Sequence, residues 1–257
     1  MLCLCYDVET PRISREVDVM LAGYRISLVM PCRNEAEHLP QLIAEVPDFF
    51  DEIICVSNKS TDSTVEVGKS LEAENPRFKL LQDDRVAGGI GYGYAHMTGI
   101  QSATGDVIVC ADADGTYPVE DTPQILDTMK ARNLRFVSCT RYPDETIPAK
   151  LQLGVKILNV EIALLYGLRV HDSLSGMWVF QRAVVPDLHL TMGDWNLSPQ
   201  IKINAAKYLG AGFAELKIQQ KLRQGETKQS YFKTGMGHLL WIARNRFIES
   251  KTLQQAD

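Results

Sequence analysis

The chain has 257 residues, 45% apolar and 23% charged, with a net charge of −5, enough to bury a large core in one domain or two closely joined halves. No apolar run reaches the roughly 18 residues of a membrane span. The start, Met1 to Cys5 followed by Asp7 and Glu9, lacks the basic and apolar regions of a signal peptide, so the cytoplasm is the expected compartment.

Residues 1–22 read as an N-terminal extension and 23–257 as a single domain with a first half (23–140), a second half (141–230) and a basic tail (231–257). In the first half, strand-like runs at Ile26–Pro31, Ile53–Ser57, Lys79–Gln82, Val107–Asp112 and Arg135–Cys139 alternate with helical patterns. Leu39, Leu42, Ile43 and Val46 follow the spacing of one apolar helix face, with Asn34 placed as its cap. Ser63 and Glu66 make a second capping pair. Strands alternating with helices predict an α/β fold, a mainly parallel sheet sandwiched by helices. In such sheets ligands bind outside the carboxyl ends of the strands, where Asn34, Ser57 and Asp112 fall. Further on, helices are expected near Lys150–Tyr166 and Ser198–Leu209 and a strand near Glu215–Gln219, with His171–Arg182 less regular.

Six cysteines suit a reducing compartment. Cys55, Cys110 and Cys139 lie in apolar runs, and Cys3 and Cys5 are too close for zinc spacing, so no metal is assigned to sulfur. From Lys217 to Lys251 there are eight Lys or Arg against two Glu. This basic end is either a solvated helix face or a surface for phosphates or anionic headgroups. Nucleic acid is not an expected partner, because the acidic chain shows no binding motif.

The run Ile108-Val109-Cys110-Ala111-Asp112-Ala113-Asp114-Gly115 ends an apolar strand with two carboxylates one residue apart. Such residues suit a plain turn. They also suit a hard divalent cation, Mg²⁺ or Mn²⁺, held by one or two carboxylates together with substrate phosphates. Gly89-Ile90-Gly91 begins like a dinucleotide fingerprint, but Tyr94 stands where the third glycine belongs and the segment follows the third strand.

In order and spacing, Pro31-Cys32-Arg33-Asn34-Glu35, Ser60-Thr61-Asp62-Ser63-Thr64, Gly91-Tyr92-Gly93-Tyr94-Ala95, Ala103-Thr104-Gly105-Asp106, the Asp-Ala-Asp, Asp172 to Trp178 and Arg223-Gln224-Gly225-Glu226-Thr227-Lys228 form a set. It resembles the family 2 glycosyltransferases of GT-A fold, most closely the polyprenyl-phosphate (dolichol-phosphate) mannosyl- and glucosyltransferases. The resemblance implies an inverting, metal-dependent transfer of a hexose from a UDP- or GDP-linked sugar to a polyprenyl phosphate. Alternatives are a soluble or glycan hydroxyl acceptor, or a GT-A-like protein that binds nucleotide or sugar without turnover.

By the same resemblance Asp112 and Asp114 hold the cation. Pro31, Asn34 and Glu35 contact the nucleoside, and Gly91 and Gly93 let backbone approach phosphate or sugar. Asp172 serves as base for a hydroxyl acceptor or orients the sugar, and Arg223 and Lys228 contact the diphosphate. Arg141 and Arg182 are further anion contacts or surface ion pairs. Where the family commonly carries acids after the second strand, this chain has Ser57 and Asn58, which implies altered base selectivity. The apolar residues of Leu153–Leu165 and the tail Leu239-Leu240-Trp241-Ile242 with Arg244, Arg246 and Phe247 suggest peripheral contact with the cytoplasmic membrane face.

Overall fold

A computed structural model describes residues 23–87, 90–141, 149–221 and 231–254. The extension 1–22, with Cys3 and Cys5, and the predicted phosphate contacts Arg223 and Lys228 lie outside the described residues.

Seven strands form one sheet: β1 Ile26–Cys32, β2 Glu52–Ser57, β3 Phe78–Gln82, β4 Val107–Cys110, β5 Phe136–Thr140, β6 Trp178–Gln181 and β7 Phe213–Lys217, in the order β3-β2-β1-β4-β6-β5-β7. The helices are α1 Leu39–Glu45, α2 Thr64–Glu74, α3 Tyr92–Ser102, α4 Thr122–Ala131, α5 Ala149–Tyr166, α6 Leu197–Leu209 and α7 Tyr231–Gln254. The run VIVC, and ISLVMPC apart from Ser27, are apolar because both faces of these central strands are covered. Ile26, Leu28, Met30 and Val109 face α1 and α4, whereas Val29, Ile54 and Ile108 face α3 and α6. A third cluster, Leu158, Ile162, Val170, Ile203 and Ile242, joins α5, α6 and α7.

β1, β2, β3 and β4 are parallel, and β6 runs antiparallel to both β4 and β5. The expectation of a mainly parallel sheet therefore holds. β6 itself is unmarked in the sequence, since four wholly apolar or amide residues show no alternation. Its antiparallel course brings Trp178, at its start, opposite Cys110, at the end of β4. The segment that precedes β6 thus arrives at the same sheet edge as Asp112.

The predicted caps need correction. α1 begins at Leu39, with His38 in the cap position and Pro40 in its first turn, so Asn34 does not cap it. Ser63 occupies the cap position of α2 without a side-chain cap bond. Asp62 does that work, accepting from Thr64 N at 3.0 Å and Thr64 Oγ1 at 2.5 Å.

After β3, the buried Asp83 accepts from Arg85 Nε at 2.9 Å and from Thr98 Oγ1 at 2.5 Å. The Arg85 guanidinium leads in holding its carboxyl at about 2, against an ordinary 3.8. A depressed carboxyl stabilises the fold above its unfolded pKa, and this contribution disappears as pH falls through the folded value. Asp83→Asn is therefore expected to lower the urea midpoint near neutrality, and its deficit against wild type should shrink as pH falls from about 4 towards 2. A deficit that stays constant over that range would show that the charge contributes nothing.

Candidate active site

The strand order reverses direction at β1, with β2 and β3 to one side and β4 to the other. Ligand crevices of open α/β sheets form at such points, outside the carboxyl ends of the strands. Four chain segments leave the sheet there: Pro31–Glu35, Ser57–Thr64, Asp83–Arg85 and Asp112–Thr116.

The first two are laced together. Asn34, at φ +55, donates its backbone N–H to Ser60 Oγ at 3.2 Å, and its side-chain oxygen accepts from Thr61 N at 2.7 Å. Glu35 N donates to Thr64 Oγ1 at 2.8 Å. An asparagine tolerates the left-handed conformation better than most residues, and here its amide fixes one loop against the next. Pro31 is half-buried in β1, opposite Val56.

Ser57 and Asn58 are 1% and 2% exposed. Ser57 Oγ shares a hydrogen bond with Ser60 Oγ at 2.9 Å. The Asn58 amide donates to the carbonyls of Asp83 (2.5 Å) and Arg85 (2.9 Å) and accepts from Gly91 N at 2.8 Å. The expectation that these two residues face the base is thus corrected: they staple β2, the loop after β3 and the start of α3.

The glycines also change role. A Cβ on Gly91 would lie 2.1 Å from the Arg85 carbonyl, and one on Gly93 would lie 2.0 Å from the Met192 carbonyl. Gly93 N and Tyr94 N both donate to Gly193 O, at 3.0 and 3.2 Å. Close approach is the reason for glycine at both positions, but what approaches is the chain's own backbone rather than phosphate. The contact docks the 192–196 loop onto α3.

Asp112 and Asp114 are half-buried. Asp112 Oδ1 accepts from the Tyr92 hydroxyl at 3.0 Å, and Asp114 Oδ1 accepts from Thr116 N and Oγ1 at 3.1 and 2.7 Å. A Cβ on Gly176 would lie 2.8 Å from the Tyr92 hydroxyl and 3.1 and 3.2 Å from the two Asp112 oxygens, so the loop before β6 presses bare backbone on that carboxylate. Gly176 N donates to the Tyr117 hydroxyl at 2.7 Å. No group of three or more His, Cys, Asp or Glu is placed to hold a metal ion among the described residues. Two carboxylates at the carboxyl edge of the sheet suit a hard cation that completes its shell with substrate oxygen and water.

Asp172 is fully buried under Arg141, whose Nε and Nη2 donate to its two oxygens at 2.8 and 2.9 Å; Arg141 N adds a third bond at 3.1 Å. Burial pushes the carboxyl up and the Arg141 guanidinium outweighs it, so Asp172 titrates below the usual aspartate range. A buried, bidentate and acidic carboxylate is a poor proton acceptor. The role of base is therefore withdrawn from Asp172, and Arg141 is its partner rather than an anion contact facing the crevice. Arg182 is further away, donating to the Gly105 carbonyl at 2.9 Å beside the start of β4, at the far edge of the sheet. His171 pairs with Glu215 at 2.7 Å, which raises its pKa.

Several contributors carried no sequence signal. Lys202 is fully buried on α6 and donates from Nζ to the Ser175 carbonyl at 2.6 Å; burial pushes it down to about 7. Trp195 stacks on Tyr92 at 4.3 Å, and its neighbour Asp194 is half-buried. Lys221, two residues before Arg223, donates its backbone N–H to Thr116 O at 2.9 Å and pairs with Glu120 at 2.7 Å, which ties the basic segment's root beside Asp114.

A mostly parallel sheet with one antiparallel insertion, and an acidic pair at the switch point facing a second loop system, defines the GT-A class of nucleotide-sugar transferase folds. The chain belongs to glycosyl transferase family 2, whose family model matches residues 27–188, and it is a glycosyltransferase.

Among its relatives, the low-salt glycan biosynthesis hexosyltransferase Agl6 of Haloferax volcanii is 29% identical over 235 residues, covering 86% of this chain and 53% of that protein. The chain thus spans about half the length of that relative. The dolichyl-phosphate hexose transferase of the same organism is 28% identical, with 82% and 89% covered. Glucosyl-3-phosphoglycerate synthase from Mycobacterium tuberculosis, solved with Mn²⁺, UDP and glucosyl-3-phosphoglycerate, superposes with a TM-score of 0.70 at 18% identity, covering 93% of this chain and 86% of that one. At that identity the likeness speaks for the fold alone.

Proposed function

We propose that the chain transfers a hexose, with inversion, from a nucleotide-diphosphate sugar to a polyprenyl phosphate, with Mg²⁺ or Mn²⁺ held by Asp112 and Asp114. In the step itself, a phosphate oxygen of the acceptor forms the new bond to the anomeric carbon. The bond from that carbon to the β-phosphate breaks, and its electron pair leaves with the nucleoside diphosphate. A cation at the acidic pair supplies charge stabilisation for the departing diphosphate. Arg223 and Lys228, by the family resemblance, would offer further positive charge to the same phosphates. Pro31, Asn34 and Glu35 form the nucleoside side of the crevice. An anionic acceptor oxygen needs no base, which agrees with the sequestration of Asp172; that carboxylate shapes the acceptor loop through Arg141.

The observation that carries the lipid acceptor is the attachment of this loop to α5. The Asn159 amide donates to the His171 carbonyl at 2.6 Å and accepts from Ser173 N at 3.2 Å. From Asn159 outward, α5 exposes Leu153, Ile157, Val160 and Leu164 at 59%, 48%, 57% and 80%, and α7 beside it exposes Met236, Leu240 and Phe247. Lys150, Lys156, Lys233, Arg244 and Arg246 on the same two helices, against Glu161, suit anionic headgroups. An apolar, basic face bound to the acceptor loop is where a prenyl chain would run. Among the described residues no helix is long and apolar enough to cross a membrane, so contact would be peripheral. The Haloferax dolichyl-phosphate hexose transferase and the Pyrococcus furiosus dolichol-phosphate mannosyltransferase, 27% identical over 70% of this chain, support the same acceptor.

A hydroxyl acceptor has one observation in its favour: Asp194, half-exposed beside Trp195 and outside the Arg141 clamp, could accept a proton. The two readings separate when the protein is given radiolabelled UDP-glucose or GDP-mannose, Mn²⁺, and phosphatidylglycerol-containing vesicles with or without polyprenyl phosphate. Label should enter the organic phase only when the prenyl phosphate is present. Label found solely in water-soluble glycosides would reject the lipid acceptor.

A further inference from the structure

Between the two glycines that pack against backbone stands Tyr92, the first residue of α3, 7% exposed and held on every side. Its ring stacks on Trp195 at 4.3 Å and meets His96 edge-on at 4.6 Å; His96 in turn lies 5.0 Å from Trp178. His96 is wholly buried with neither ring nitrogen hydrogen-bonded among the described residues, and burial pushes its pKa down to about 3, so it packs as a neutral ring. Nothing in this stack leaves the phenol room to swing. At its tip the hydroxyl donates to Asp112 Oδ1 at 3.0 Å.

We propose that Tyr92 is a positioning residue for the cation: its hydroxyl, held in place by the ring stack with Trp195 and His96, fixes the Asp112 carboxylate towards the crevice, with Gly176 as the backstop. The inference rests on the reading that Asp112 and Asp114 hold the cation. An aspartate has two rotatable side-chain bonds, and a ligand that must first be ordered binds its metal more weakly. Partners that orient a metal ligand through a hydrogen bond are worth about 10- to 100-fold in metal affinity. Tyr92 reaches Asp112 across 20 positions of sequence, and it does so from the segment whose glycines alone invite attention.

The test is Mn²⁺ affinity, read by electron paramagnetic resonance of free Mn²⁺ in the presence of UDP or GDP, with circular dichroism confirming that each variant is folded. Tyr92→Phe is expected to weaken Mn²⁺ binding about 10- to 100-fold, while Tyr94→Phe, whose ring packs under Arg85 instead, leaves it unchanged. A folded Tyr92→Phe protein that has lost thermal stability but binds Mn²⁺ as wild type does would overturn the proposal and leave the phenol a packing role only. Should Tyr92→Phe not fold, an unaltered affinity in a folded Trp195→Leu protein, which loses the stack that holds the phenol, would overturn it equally. Asp112→Ala separates this failure from that of the underlying reading: if wild type and Asp112→Ala bind Mn²⁺ alike, the cation is not at the acidic pair and both fall.

Discussion

Asp114→Ala should abolish the thermal stabilisation that a nucleotide-diphosphate sugar and Mn²⁺ together give the wild-type protein, while leaving the unliganded melting temperature nearly unchanged. Asp114 is half-exposed and accepts from Thr116, two residues on, whereas Asp112 is enclosed by Tyr92 and Gly176, so the substitution at Asp114 is the one expected to spare the fold. A ligand that binds only the folded state contributes RT ln(1 + [L]/Kd), about 2.7 kcal/mol at a hundredfold excess over Kd. For a chain of this size that corresponds to roughly 5–10 °C. A scan of UDP-, GDP- and dTDP-sugars with and without Mn²⁺ would also name the base, which Ser57 and Asn58 leave open by being turned inward. An equal shift in wild type and Asp114→Ala would place the donor's diphosphate elsewhere.

Arg141→Ala is expected to be among the most destabilising single substitutions outside the apolar core. The Arg141 fork is the largest compensation for the burial of Asp172, which has no exposed surface. Removing one partner of a buried ion pair leaves an uncompensated charge, at a cost of about 3–5 kcal/mol. Lys202 and four N–H groups, two of the Arg141 guanidinium and the backbone groups of Arg141 and Leu174, surround the carboxylate, and with the Arg141 side chain truncated Lys202 and the two backbone N–H groups persist. Urea unfolding should show the loss, and Arg141→Ala combined with Asp172→Asn should recover part of it, because the second change removes the stranded charge. A loss under about 1 kcal/mol in the single variant would mean that water or Lys202 replaces the guanidinium.

Much of the donor half was legible because parallel strands are written as continuous apolar runs: β1, β2 and β3 fall within a residue of their expected ends, and β4 stops two residues before Asp112. The acceptor half was less so. β6 has four residues, all but one fully buried, and short buried strands carry no period by which to recognise them. Yet β6 turns the chain so that Asp172–Gly176 meets Asp112. That polar residues follow the strands at the sheet's carboxyl edge could be read from the sequence, but their partners could not be foreseen. Asn34, Asn58 and Gly93 spend their groups on loops 26, 25 and 100 positions away, and hydrogen bonds of that range leave no trace in local spacing. The buried Lys202 looked like a residue of an ordinary helix, since nothing in LSPQIKINAAKYL marks which lysine faces inward.

The close approach of Gly176 to Asp112 joins two segments that the chain keeps 64 positions apart, the proposed acceptor loop and the proposed cation site. Because backbone rather than a flexible side chain makes that contact, a shift of the Ser175–Gly176 turn cannot be absorbed locally and must be felt by the carboxylate. An acceptor that draws the turn inward would then change the affinity for the cation, and linkage requires the cation to change the affinity for the acceptor by the same factor. Donor and acceptor loading would be cooperative by construction, with the sign set by whether the occupied turn presses Asp112 towards the crevice or away from it.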